Sequence, residues 1–507
     1  MAGDTWGRLA ADGKLSPDLR SLRVEDTTYV NHAGIRVQVF PDQYVAYTEV
    51  DLQIESSSAR ESVANMLFEI PSGSVASSLT LWIDGQERPA RFALRGKASQ
   101  AFNTIVNKKR DPALIEWIDD RHLRLQVFPV SHVLPRRVKV GYVTPLDSQE
   151  LELEYRSPTI SGIRQDTASA FVTVEVFSDQ QPQALTSNLD FKPLGVTAGA
   201  AKPFEAQTSL TKPWSVKFAA RGEKPIHEPS TWSPESIVFV PRGGRPEARW
   251  NDAKKALQSA FPNATIGAFG DRLNWLTSSK DLTRSVEDGR TMRGLPLPFY
   301  QREMPNPSTT LYVVENDRAP NILTLRGTDY FRSMSNFFVN HGEGLRILGL
   351  DDAMSPFYSG LSELDLATVL SFDGKRLLQV PSLISSVRGE KMATEFVDRL
   401  VAYKQSMRHA ILDEVRGDGT PDSLTEEMRK GHLVTPFSSL IVLETEGDYS
   451  RFGINDKDSE KNNTRPADPS LRESLGLVPE PHEYLLLAIC LAAIAYMYRR
   501  RSGAVLG

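Results

Sequence analysis

Between Val30 and Leu146 apolar and polar residues alternate along the chain. Val50, Leu52 and Ile54, then Leu79, Leu81 and Ile83, then Leu123, Leu125 and Val127, then Val138, Val140 and Tyr142 place an apolar side chain at every second position. That is the period of a strand with one buried face, and the turn formers Pro71-Ser72-Gly73 and Asp84-Gly85 separate the runs. Several short strands so spaced predict an antiparallel sandwich. One helix interrupts them over 96–107, where Ala98, Ala101, Phe102 and Ile105 share a face. Ala170–Phe177 alternates again through Val172, Val174 and Val176, and Val216–Phe218 is expected to pair with it. Gln180–Pro203 is rich in polar residues, Gly and Pro and reads as loops, so 151–230 reads as a β connector extending the sandwich over 23–150.

After Pro229 the period changes. Ser236–Val240 reads as a strand, Glu247–Phe261 as a helix with Trp250, Ala253, Leu257 and Phe261 on one side, and Thr265–Phe269 as a strand. Further strands are expected at Leu311–Glu315, Leu345–Leu350 and Arg376–Val380, with helices near Asp329–Phe338 and Leu361–Phe372. Strands alternating with helices over 231–388 imply a mostly parallel sheet covered on both faces. In 389–454 a long helix face runs through Phe396, Leu400, Tyr403, Met407 and Ile411, fit for a core or a seam, and a strand follows. Residues 455–477 are charged and lack an apolar period, as a tether would.

The last segment, 478–507, has three parts: Val478-Pro479-Glu480-Pro481, an apolar run Tyr484–Tyr498, and Arg499-Arg500-Arg501. As a helix the run reaches roughly 22 Å, short of the ~30 Å hydrocarbon core but able to insert by thinning the bilayer or by snorkelling. The arginines would stay on the cytoplasmic side and act as the membrane stop, which puts the bulk of the chain outside the cytoplasm. A buried C-terminal core helix is the alternative reading of the same run.

Composition narrows the function classes. The 507 residues carry a net charge of -5 with both signs mixed along the length, which gives no footprint for nucleic acid. Cys490, inside the apolar run, is the sole cysteine, so neither an intrachain disulfide nor a cysteine zinc site is expected. Residues 1–22 have no basic n-region and no apolar h-region, hence no signal peptide, and the expectation is that an upstream membrane segment precedes the chain or that its start codon is misassigned. The eight histidines are scattered singly, and neither a Gly-x-Ser-x-Gly elbow nor a His-Glu-x-x-His helix occurs. No enzymatic site is expected.

Several of these stretches resemble known families. The tail resembles a PEP-CTERM sorting signal, which implies that an exosortase, a membrane-embedded processing enzyme, reads Pro479, Glu480 and Pro481 and that the helix and arginines are removed after transit. Lys97-Ala98-Ser99-Gln100-Ala101-Phe102, Arg110-Asp111-Pro112-Ala113-Leu114-Ile115-Glu116-Trp117, Leu123–Val130 and Val138-Lys139-Val140-Gly141-Tyr142 resemble a VIT domain, the module of vault proteins and inter-alpha-trypsin inhibitor heavy chains, in its bacterial exosortase-associated form. Within it Arg110 and Asp111 read as a structural turn pair and Trp117 as a core or seam aromatic. Gly431–Glu444 resembles the strand that closes this architecture in the inter-alpha-trypsin family. The 231–388 region resembles a von Willebrand factor A domain, a family that holds Mg²⁺ in an Asp-x-Ser-x-Ser loop after its first strand. Here the loop reads Pro241-Arg242-Gly243-Gly244-Arg245, without a carboxylate or hydroxyl, so no metal and no cofactor is expected. Arg242, Gly243, Gly244 and Arg245 could instead hold an anion at the following helix N-terminus. Asp351-Asp352 reads as a solvated turn with Ser355 capping the next helix.

The resulting expectation is a multidomain α+β chain: an antiparallel VIT sandwich, a doubly wound α/β domain of degenerate A type, and a C-terminal transmembrane helix. Its function would be non-enzymatic, in adhesion, scaffolding or surface assembly through protein contacts, anchored in the membrane through Tyr484–Tyr498 or processed by exosortase. The alternative is an accessory component of the sorting system that stays in the inner membrane.

Overall fold

The computed structural model describes residues 27–149, 152–164, 169–178, 184–194, 202–219, 228–241, 247–269, 273–276, 306–315, 319–341, 344–350, 354–379 and 391–454. The first alternating runs form a long antiparallel hairpin, β1 (Thr28–Phe40) and β2 (Val45–Ser56), whose register slips at Val30/His32. There follow β3 (Ser62–Glu69), β4 (Val75–Ile83), β5 (Gln86–Pro89), β6 (Arg91–Leu94), helix α1 (Arg95–Asn107), β7 (Ala113–Trp117), β8 (His122–Val130) and β9 (Arg136–Pro145). Asp84 and Gly85 both take positive φ, 51° and 75°, as a two-residue hairpin turn between right-twisted strands requires.

The next stretch contains β10 (Asp147–Gln149), β11 (Glu152–Arg156), β12 (Thr159–Ser161), β13 (Ser169–Val176), β14 (Thr186–Ser187), β15 (Lys192–Pro193), β16 (Lys202–Ser209) and β17 (Ser215–Ala219). One sheet of the sandwich runs β15-β16-β13-β1-β2-β9-β4-β5. In it β13 lies parallel to β1 and antiparallel to β16, while β17 pairs with β11 and β14 in a separate four-stranded sheet. The expected pairing of Val216–Phe218 with the 170–177 strand is therefore corrected, as is the reading of Gln180–Pro203 as loops alone. The reason is local: Phe204 is buried, Glu205 half-exposed and Ala206 buried, an alternation that gives β13 a nearer partner than β17.

The α/β part comprises β18 (Glu228–Pro229), β19 (Ser236–Val240), α2 (Glu247–Ala260), β20 (Thr265–Phe269), β21 (Leu273–Trp275), β22 (Thr310–Val314), α3 (Asp329–His341), β23 (Leu345–Gly349), α4 (Pro356–Glu363), β24 (Ala367–Phe372) and β25 (Leu377–Gln379). Its sheet runs β18-β25-β24-β23-β22-β19-β20-β21, with β20, β19, β22, β23 and β24 mutually parallel and the flanking strands antiparallel. Both faces are buried. Ile237 and Phe239 pack with Trp250 and Leu257 of α2, whereas Val238 and Val240 face the cluster containing Phe331 of α3 and Phe357 of α4. A helix was expected over Leu361–Phe372. Helix α4 instead starts at Pro356 and stops at Glu363, because Asp365 takes a left-handed φ of 53°, and the rest of the run extends as β24 beside β23. Ser355 occupies the N-cap position of α4, but its buried hydroxyl makes no capping bond.

The chain then returns to the sandwich through α5 (Lys391–Arg416), α6 (Asp422–Gly431), β26 (Ser438–Val442) and α7 (Glu446–Arg451). Strand β26 inserts into the second sheet of the sandwich, whose order is β12-β3-β8-β7-β26-β6. It pairs with β7 through Leu440–Ile115 and with β6 through Leu440–Phe92. Leu440 enters the sandwich interior, while Ile441 points outward to meet Ala98, Ala101, Phe102 and Ile105 of α1 and Tyr449 of α7. Ion pairs reinforce the return: Arg110 reaches Asp448 at 2.6 Å, and Arg91 pairs with Glu446 while lying over the Tyr449 ring. Among the described residues no helix is long and apolar enough to cross a membrane; Tyr484–Tyr498 lies outside them.

Without β26, strands β6 and β7 lose their common partner and the interior face loses Leu440. A fragment of residues 27–219 should show no cooperative denaturant transition, and adding residues 432–454 as a fused strand should restore one, as followed by far-UV circular dichroism.

Candidate functional site

The sorting motif Pro479, Glu480 and Pro481, the stop Arg499, Arg500 and Arg501, the loop Arg242, Gly243, Gly244 and Arg245, and Asp351-Asp352 lie outside the described residues. Of the singled-out residues within them, Arg110 pairs with Asp448, and Asp111 pairs with Arg136 at 2.8 Å. Trp117 stands at the seam where α5 crosses the sandwich. That seam brings together several groups in strongly perturbed environments.

Helix α5 is amphipathic, and its apolar face is what the sandwich receives. Phe396 stacks on Tyr47 with ring centroids 4.9 Å apart and touches Phe40 at 5.7 Å. The Tyr47 ring needs room on the neighbouring strand: a Cβ on Gly141 would sit 2.1 Å from the Tyr47 hydroxyl, so this position in β9 tolerates glycine alone. One turn on, Arg399 donates to the Ser77 hydroxyl at 3.2 Å, and burial pulls its guanidinium below the usual arginine range. At the next turn the Tyr403 hydroxyl accepts a bond from the Trp117 indole nitrogen at 3.1 Å, and burial drives its pKa far up. The Arg326 guanidinium lies 5.8 Å from the Trp117 ring centroid.

Immediately after Trp117 the β7–β8 turn carries Asp119, Asp120 and Arg121, and β8 starts at His122. Asp119 accepts the Arg121 backbone N–H at 2.9 Å and meets His122 Nδ1 at 2.7 Å. Asp120 is 2% exposed. One of its oxygens accepts the Ser72 hydroxyl at 2.9 Å, while the other, Oδ1, is buried without a hydrogen-bond partner. Burial, with Asp119 adding to it, pushes the Asp120 carboxyl up to about 6. For His122 burial acts downward, but the hydrogen bond and charge of Asp119, helped by Glu69 and Asp120, outweigh it and raise the imidazole. Glu363, at the end of α4, approaches the same corner, with Oε2 4.0 Å from where a Cβ on Gly73 would lie. Asp119, Asp120 and Glu363 together act on Tyr403 from the sandwich and the α/β part.

The raised Asp120 carboxyl and the raised His122 imidazole thus share one turn. Among the described residues no cluster of three or more His, Cys, Asp or Glu is arranged to hold a metal ion. A groove of about 400 Å³ between α5 and α6 shares Arg399 with the seam and is also lined by Glu395, Asp398, Glu427 and Lys430, acids and bases together. Sequence patterning passed over Asp119, Asp120 and His122, since His122 counts among isolated histidines. The local sign is a run of four polar residues, Asp-Asp-Arg-His, directly after Ala113–Ile118, which is apolar except for Glu116.

Residues 33–142 match the family model of the Vault protein inter-alpha-trypsin domain. The chain therefore carries a VIT domain. It spans β1 to β9, includes Trp117 and the acid turn, and ends at Tyr142 beside the Gly141 hollow. No curated protein matches the chain. Among solved structures, yeast LTA4 hydrolase is similar at 12% identity and a TM-score of 0.23, over 50% of this chain and 41% of that one. An M1 zinc metallopeptidase from Deinococcus radiodurans is similar at 10% identity and a TM-score of 0.24, over 48% of this chain and 56% of that one. Likeness at this level carries no argument about activity, and the chain spans less than half the length of the yeast enzyme.

Replacing Tyr403 by Phe leaves the Trp117 N–H buried without its acceptor, which should lower stability by about 1–3 kcal/mol, read as a lower denaturant midpoint at unchanged m. Lys404→Ala, which removes the exposed pair with Asp365, should cost about 0–1 kcal/mol in the same assay.

Proposed function

We propose that the protein is a non-enzymatic component of the cell envelope that works in adhesion, scaffolding or surface assembly, with its bulk outside the cytoplasm and its tail handled by an exosortase. The observation that carries this reading is the position of β26. The described chain reaches Ile454 just after β26 and α7, and the segment 455–477 leads from there to the sorting-type tail. A pull on that tether reaches a strand hydrogen-bonded on both sides, which must be sheared from two ladders at once. Such an attachment suits a body held at a surface. The VIT domain and the α/β part share one apolar core through α5, so the chain presents its faces to a partner from a single body.

We read the α/β part as an A-type domain without a metal. Counting from β19, its strands lie in the order third, second, first, fourth, fifth, sixth, with the third antiparallel, which supports a doubly wound A-type reading. The loop that leaves β19 offers Pro241, Arg242, Gly243, Gly244 and Arg245, a donor set that does not fit Mg²⁺. An anion at Arg242–Arg245 is the ligand that donor set favours. The second functional reading is an accessory of the sorting system retained in the inner membrane, which the apolar run and Arg499–Arg501 favour if they stay attached.

Intact-mass analysis of the mature protein from its native envelope separates these readings. Loss of everything beyond the Pro479–Pro481 region is the expected result and supports a processed surface protein, while a retained tail supports the inner-membrane accessory. Millimolar Mg²⁺ should leave the melting temperature unchanged, since only a ligand that prefers the native state stabilises it; a rise of several degrees reversed by a chelator would overturn the metal-free reading.

A further inference from the structure

We propose that the joint between the VIT domain and helix α5 is a proton-operated latch: a neutral Asp120 side chain closes it, and ionisation of Asp120 loosens it. The inference is independent of where the protein resides. It starts from geometry. Asp120 is buried at the corner where four elements meet: the β3–β4 turn with Ser72, its own β7–β8 turn, the end of α4 with Glu363, and α5 with Tyr403. Its Oδ1 has no hydrogen-bond partner, and a buried carboxylate oxygen without one is costly, whereas a carboxylic acid in the same place is tolerated.

The groups facing Asp120 divide, and burial together with Asp119 outweighs the rest. From its own turn Asp119 repels the ionised form, while Arg121 and His122 favour it. Ser72 donates to one oxygen only. Arg121 is half committed to Glu69 at 2.7 Å, and His122 to Asp119. Across the joint, Tyr403 is already engaged by the Trp117 indole, and Glu363 brings a further carboxyl. From the α/β part, Arg326 lies over the Trp117 ring. Three carboxyls and one tyrosine thus converge on a joint that α5 and α4 must cover for the chain to be compact.

The direction of the effect follows from linkage. The native Asp120 carboxyl titrates near 6 and a solvated one near about 3.9, so the closed joint holds a proton that the open one releases. Such a group adds stability below its unfolded value and loses it as pH rises through its native value. His122, also raised, acts with the same sign, since its stabilisation is complete below the unfolded value and fades as pH rises through the native one. The joint is therefore tightest in mild acid and weakens between about pH 4 and about pH 7.

Native-state hydrogen exchange on the full chain, corrected for intrinsic rates, tests the latch at the α5 amides. In the wild type their protection should fall on the order of tenfold between about pH 5 and about pH 7.5, while Asp120→Asn should lose most of that fall and keep only the smaller part that His122 contributes. Equal protection of wild-type α5 at both pH values, or an Asp120→Asn chain that keeps the wild-type slope, would overturn the proposal. If Asp120→Asn does not fold, Ser72→Ala serves instead. It removes the hydrogen bond that favours the carboxylate and should move the midpoint of the fall to higher pH, and an unmoved midpoint would overturn the latch equally.

Discussion

The structure depends on the two hydrogen-bonded ladders that β26 makes with β6 and β7. These strands come from opposite ends of the described chain, and between them the chain builds the connector sheets and the whole α/β part. A sandwich sheet with its fifth strand missing would expose two edges and half of an apolar face. The chain avoids this by placing that strand after the α/β part, so the second sheet is complete only when the last described segment has returned. Helices α1 and α7 then cover the outer face, with Ile441 and Tyr449 against Ala101 and Phe102. The closing contacts span hundreds of residues, which makes their loop-closure entropy large and their formation late relative to local hairpins such as β1–β2.

Helix α5 translates that closure into a fixed placement of the two parts. Its apolar stripe meets the sandwich through stacked aromatics and meets α3 on its other flank, so one amphipathic element serves two cores. The stripe also carries Arg399 and Tyr403, whose polar ends are satisfied by Ser77 and Trp117. Hydrogen bonds of this kind fix register more than they add stability, because each exchanges a bond to water for a bond to protein. The acid turn beside Trp117 departs from this economy. Asp120 is enclosed with one oxygen unsatisfied.

The proposed reading is of a protein whose work is mechanical and interactive. The α/β part has a doubly wound sheet, and after its first long strand the sequence reads Pro241-Arg242-Gly243-Gly244-Arg245. At the joint, the proposed latch would couple the relative placement of the two parts to acidity.

Much of the local architecture was legible before any coordinates. Period-two alternation marked β2, β4, β8 and β9. The face Ala98, Ala101, Phe102 and Ile105 marked α1, and the stripe from Phe396 to Ile411 marked α5 and its place at a seam. These features are local because a strand or helix face is written in the spacing of its own apolar residues. What the tertiary structure decided was partnership. It paired β13 with β1 and β16 rather than with β17, and it turned the end of the Leu361–Phe372 run into β24 because β23 offered a free ladder and Asp365 broke the helix. It also gathered Ser72, Asp120, Glu363 and Tyr403 from four separate elements into one corner. No spacing in the chain encodes that meeting, since the cost of a buried charge is set by whatever distant segment comes to cover it.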